Sequence, residues 1–147
     1  MDKTISGGLR STFLVHAIVA LVFGAALWLI PGRFLTLVGW VQESFIIDGT
    51  EITAPGTLFV DGVITRLLGA VLLALALSSY QSWRTQEWVK VALVVQLEAV
   101  FCILSVLAGL VVVLFLRAEP LPLFGWVTLV LLAAFGAAWV LALRRHG

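Results

Sequence analysis

Cysteine, histidine and charge are all scarce in this sequence, and each shortage closes a class of function. Cys102 is the sole cysteine. No intramolecular disulfide can form, cysteine usage says nothing of compartment, and the Cys-x-x-Cys pair that a four-helix thiol oxidoreductase of the vitamin K epoxide reductase kind requires is missing. The histidines are His16 and His146. A bis-histidine haem bundle needs two of them inside the membrane, and His146 falls in the tail after the last apolar run. A metal site at His16 lacks further ligands, and a pigment site would rest on His16 alone. No combination of elbow, base and orienting acid suggests a serine hydrolase. Net charge is +1 with no basic patch interleaved with aromatics, which argues against nucleic acid as a partner. No cofactor is expected, and an enzyme is the less favoured reading.

Charged residues make up 12% of the 147 and hydrophobic ones 62%, with mean hydropathy +1.15. A soluble domain is about half apolar and about a quarter charged, so the composition belongs to a membrane protein. A bilayer core ~30 Å thick requires about 20 apolar residues in a helix rising ~1.5 Å per residue. Four runs qualify, approximately residues 12–30, 62–80, 89–116 and 121–143. Lipid cannot satisfy backbone N–H and C=O groups, and the apolar/polar alternation of a barrel strand is absent from all four, so each is expected to be helical. The first run continues through Leu27-Trp28-Leu29-Ile30 with no small-residue cleavage pattern, which reads as a retained span rather than a signal peptide. The expected fold is one all-α domain, 1–147, a bundle of four transmembrane helices.

Basic residues fix an orientation. Lys3, Arg10, Arg84, Lys90, Arg144 and Arg145 fall on one side of the bundle, against Arg33 and Arg117 on the other. The positive-inside rule then places both termini in the cytoplasm. Glu43, Asp48, Glu51 and Asp61 gather in the outer loop before the second span. That loop carries two short β-type runs around Asp48-Gly49, a dipeptide suited to a type I′ turn, so a small hairpin is expected there, broken by Ala54-Pro55-Gly56. Pro31-Gly32 ends the first helix, and Arg33 to Trp40 suits a short interfacial helix or turn. Asp61 is placed to cap the second span. Trp28, Trp40, Trp83, Trp88 and Trp126 fall near span ends, where indoles favour the headgroup region. Short links make the second, third and fourth spans sequential antiparallel neighbours.

Glu98, Arg66 and His16 are the ionisable residues inside apolar runs, and together they form the candidate interior polar cluster. Small residues accompany each at helical spacing: Glu98, Cys102, Ser105 and Gly109; His16, Ala20 and Gly24; Arg66, Ala70, Ala74 and Ser78. Such stripes mark faces that pack on other helices. Depth, at ~1.5 Å per residue, favours a direct contact of His16 with Glu98, whereas Arg66 with Glu98 needs an extended guanidinium or a bridging water. Otherwise Arg66 snorkels toward the acidic outer loop. Gln96 lies about 200° around the helix from Glu98 and belongs to another contact.

The first span ending in Pro31-Gly32, the outer loop, Arg66-Leu-Leu-Gly69-Ala70 and the tryptophan-flanked turn resemble small uncharacterised bacterial four-span integral membrane proteins. That resemblance implies a four-helix fold in a bacterial cell (inner) membrane and implies no activity. The function expected is a non-enzymatic binding or accessory component built around the polar cluster. Its partners would be the lipid bilayer, a small apolar or cationic ligand, and a homo-oligomer or larger membrane complex. The alternative is a small proton-coupled transporter working as a homo-oligomer, since the size and a mid-span carboxylate look like the small multidrug-resistance transporters, with Glu98 as the proton site.

Overall fold

Among the described residues four helices, with mean hydropathy between 1.9 and 2.7, are long and apolar enough to span a membrane. The computed structural model describes residues 4–41, 44–53, 60–116 and 120–146. The Pro55-Gly56 break and the Lys3, Glu43 and Arg117 charges lie outside them. Helix α1 runs Gly7–Leu29, and α2 is a short helix, Pro31–Leu37. Strands β1 (Ser44–Ile47) and β2 (Thr50–Thr53) pair antiparallel with Ile47 opposite Thr50. Between them Asp48 and Gly49 take φ of 50° and 78°, the positive values a type I′ turn needs at both centre positions. Then follow α3 (Gly62–Arg84), α4 (Trp88–Val111) with a π-helical continuation over Val112–Leu116, and α5 (Leu123–His146).

Helix ends overrun the apolar runs because caps, not hydropathy, terminate a helix. Helix α1 begins at Gly7 rather than near Thr12: Ser6 accepts the Leu9 N–H, and the Ser11 and Thr12 hydroxyls donate to the Gly7 and Gly8 carbonyls. Asp61 caps α3, its carboxylate accepting the Val63 and Ile64 N–H groups at 2.8 Å each. These bonds, chiefly that from Ile64, hold the Asp61 carboxyl below its usual range.

The helices pack as two pairs, α1 with α3 and α4 with α5, and the pairs meet at few points. Sequence makes the pairs. Gly24 and Gly69 sit face to face, so that a Cβ on either would lie 3.0 Å from the other's carbonyl oxygen. On the second pair, a Cβ at Gly136 would lie 3.3 Å from Cys102 Cβ. The short turn before Trp88 keeps α3 and α4 adjacent in sequence, yet α3 gives its small-residue face to α1 and shares little surface with α4. This differs from the neighbour order that loop length suggests.

Both termini and the α3–α4 turn meet at one end, the terminal end. Ile5 N–H bonds to the Gln86 carbonyl at 2.9 Å, Arg10 Nε to the Trp83 carbonyl at 3.1 Å, and His146 stacks on Trp88 with ring centroids 4.7 Å apart. Above them lies the main core: Phe13, Val91, Val95, Ala99, Phe135 and Trp139. A second, smaller core of Leu27, Leu35 and Val38 closes the opposite, loop end under α2. Between the two cores the pairs stand apart.

Candidate functional site

Helix α1 carries His16 and α4 carries Glu98, each roughly 15 Å along its helix from the terminal end at ~1.5 Å per residue, and α3 brings Ser79 between them. All three are buried, Ser79 and Glu98 completely. The Ser79 hydroxyl donates to Glu98 Oε1. His16 Nδ1 lies 2.9 Å from Ser79 Oγ and 3.4 Å from Glu98 Oε2. Oε2 itself makes no hydrogen bond among the described residues, so its contact with the ring is electrostatic only. A serine hydroxyl holds one proton. With that proton donated in the hydrogen bond to Glu98, the oxygen accepts from His16 Nδ1–H, and serine links the two titratable groups in series.

Aromatic rings fix the imidazole from the α5 side. Phe135 meets it edge-on with centroids 4.8 Å apart, and Trp139 does so at 5.6 Å. Trp139 in turn leans on Phe13 at 4.9 Å. Its Nε1–H, like Glu98 Oε2, is enclosed without a hydrogen-bond partner among the described residues. Cys102 is one turn beyond Glu98, buried against α5.

Arg66 is elsewhere. Its side chain is exposed and curls back on its own helix, Nη1 donating to the Gly62 carbonyl at 2.9 Å. The candidate cluster of Glu98, Arg66 and His16 is therefore corrected at one member: His16 and Glu98 come together, and Arg66 stays apart. The physical reason is rotation. Helix α3 buries Gly69, Ala76, Ser79 and Ser82, a face centred about 120° around the 3.6-residue repeat from Arg66, because Gly69 allows close approach to α1. The stripe Arg66, Ala70, Ala74 and Ser78 is centred on the opposite side of the helix from that face, with Arg66 and Ala74 exposed; Ser78 donates to the Leu75 carbonyl of its own helix. Gln96 is exposed, away from Glu98.

Two participants were not singled out from sequence. Ser79 was signalled by the spacing of small residues at 69, 76, 79 and 82, whereas nothing in the sequence set Trp139 apart from the tryptophans near span ends. Of the five placed in the interfacial belt, Trp28, Trp40 and Trp126 are exposed, whereas Trp88 is buried under His146.

From His16 a cavity of about 350 Å³ extends toward the loop end between the two helix pairs. Its walls are apolar, among them Phe23, Leu72, Phe101 and Leu132, with Trp40 and Val38 at the far end. Polar lining is confined to His16, Ser105 and Thr128, and the Thr128 hydroxyl is engaged by the Phe124 carbonyl at 2.9 Å. Glu98 does not line it. Among the described residues no group of three metal-ligating side chains comes together.

Comparison with protein-family models, with curated proteins and with solved structures finds no match to this chain. The chemistry of the site rests on its own geometry.

Proposed function

We propose that this chain is a multi-pass protein of the cell membrane, both termini cytoplasmic, that binds a lipophilic molecule between its helix pairs and acts as a binding or accessory component rather than an enzyme. The observation that carries this reading is the cavity with apolar walls and a single buried imidazole at its inner end. Ligand sites in proteins occupy about 300–1,000 Å³ and combine apolar walls with a few convergent polar groups.

The transporter alternative asks Glu98 to exchange a proton for a cation. A cationic substrate would have to reach the carboxylate, and Glu98 is fully enclosed and outside the cavity lining. Binding is the better-supported reading.

Saturable binding of 1-aminoanthracene, followed by its fluorescence in detergent, tests it. Wild-type protein should bind one equivalent. Ala20→Phe, on the cavity wall, should weaken binding at least tenfold, and Val100→Phe, on the exposed face of α4, should leave it unchanged. Equal binding by all three proteins overturns the proposal.

A further inference from the structure

The hydrogen-bond chain that holds His16 also determines what the other edge of its ring offers to the cavity. Nδ1 faces Ser79 and Glu98. Nε2 has no hydrogen-bond partner among the described residues, and it is not among the polar atoms sealed from all contact. His16 lines the cavity at its inner end, so Nε2 is an unengaged polar atom there, in a residue 6% exposed.

Counting protons along the chain gives the state of Nε2. A net charge on three buried groups is costly, so the neutral set is the favoured one. It has two forms. In one, a protonated Glu98 donates to Ser79 Oγ, Ser79 donates to the lone pair of Nδ1, and the neutral imidazole carries its hydrogen on Nε2. In the other, both protons have shifted along the chain: Ser79 donates to the Glu98 carboxylate, Nδ1–H donates to Ser79, and the imidazolium again carries hydrogen on Nε2. The two forms interconvert by proton transfer alone, with no change in total charge. Nε2 is a donor in both. Removing one proton from the chain leaves carboxylate and neutral imidazole, with hydrogen on Nδ1 to satisfy Ser79, and Nε2 becomes an acceptor.

We infer that the cavity takes a neutral lipophilic molecule bearing a carbonyl oxygen, held by His16 Nε2–H, and that Glu98 through Ser79 makes this binding proton-dependent. The inference rests on the cavity reading above. Apolar walls select the body of the molecule and the imidazole donor at the inner end selects its oxygen. Glu98 and Ser79 do not touch the ligand; they are positioning residues that set the tautomer. The titratable groups facing this neighbourhood from the packed helices are Glu98 on α4 and the Cys102 thiol one turn along it. Helix α3 presents Ser79, and α5 presents Phe135 and Trp139. A ketone and an acyl ester offer the same acceptor oxygen, and both occur in membranes.

Decane, 2-decanone and methyl nonanoate separate these cases. Each is titrated as a competitor of 1-aminoanthracene on the full chain in detergent, with correction for its partition into empty micelles. The wild type should hold the ketone or the ester at least tenfold more tightly than decane, and the tighter of the two identifies the source of the carbonyl. That preference should decline as pH rises from 5 to 9. His16→Phe should abolish the preference while still binding decane, which reports an intact cavity; His16→Leu provides a second such variant. Glu98→Gln cannot lose the proton, and its amide can donate to Ser79, so the preference should persist and its pH dependence vanish. Equal affinity of the wild type for decane and both carbonyl compounds overturns this inference and leaves the cavity reading standing. A flat wild-type pH profile, or a slope unchanged in Glu98→Gln, overturns the proton linkage. A protein that binds none of the three overturns the cavity reading as well.

Discussion

Glu98 is a buried carboxylate with a serine on one oxygen and an imidazole 3.4 Å from the other, and the stability of that arrangement can be divided experimentally. Removing one member of a buried hydrogen-bonded set leaves the others without partners, so the loss should not be additive. We expect Ser79→Ala and Glu98→Met to couple by about 1 kcal/mol in a double-mutant cycle on detergent stability, the scale found for polar contacts between membrane helices. Arg66→Gln paired with Glu98→Met should be additive within about 0.5 kcal/mol, because Arg66 is exposed and bonds within its own helix. Additivity in the first cycle would mean that serine does not bridge the pair. How far this site could be read beforehand follows from what a sequence encodes at this scale. The depths of His16 and Glu98 follow from counting residues along regular helices, which is why their meeting was legible. The azimuth of Arg66 depends on which face of α3 meets α1, and the face carrying Gly69 meets it rather than the one carrying Arg66. Ser79 stood one position from Ser78, and depth alone does not distinguish neighbours.

Both helix pairs have close approaches at glycine, and these are unequal in kind. At Gly24 and Gly69 two of the three nearest neighbouring atoms are backbone, which cannot turn aside. At Gly109 a Cβ would fall 2.3 Å from Leu129 Cδ2, the tip of a side chain that can change rotamer. Gly69→Ala should therefore cost about 1–3 kcal/mol, the range for forcing atoms into a filled contact, and Gly109→Ala should cost less. Thermal unfolding in one detergent, with both variants side by side, gives the comparison. The reverse ranking would show that the α1–α3 pairing is not set by its glycines. Small-residue stripes on α1 and α4 were legible because a bilayer gives helices little reason to approach except through such residues. What could not be read was the pairing itself. Loop length made α3 and α4 neighbours, but Gly69 commits the close-packing face of α3 to α1, and the loop constrains only the ends. Helix limits slipped for a related reason, since hydropathy marks where lipid begins, whereas Ser6 and Asp61 mark where hydrogen bonding begins.

Across the whole molecule, filling and charge are both distributed unevenly between the two ends. The terminal half is a solid core around Phe13, Val95 and Trp139, with the chain ends pinned to the α3–α4 turn. The loop half holds the cavity and is closed by α2 over Leu27 and Leu35. Access for a lipid-borne ligand is thus expected through the loop half, where the helix pairs stand apart. Charge follows the same division. Arg10, Arg84, Lys90, Arg144 and Arg145 gather at the terminal end, the last two in the final turn of α5, where a helix dipole favours cations. Asp48, Glu51 and Asp61 belong to the segment between α2 and α3 at the other end. Translocation of a loop is resisted by lysine and arginine and little affected by acidic residues, so the terminal end should remain in the cytoplasm and the cavity should open toward the outer leaflet. Fusing reporters that are active on opposite sides of the membrane, one after Gly147 and one at Gly49, checks this. The two sites should give opposite signals, cytoplasmic at the C-terminus and external at Gly49. A cytoplasmic signal at Gly49 would turn the bundle over, place His16 nearer the outer surface, and make the cytoplasmic leaflet the source of whatever the cavity holds.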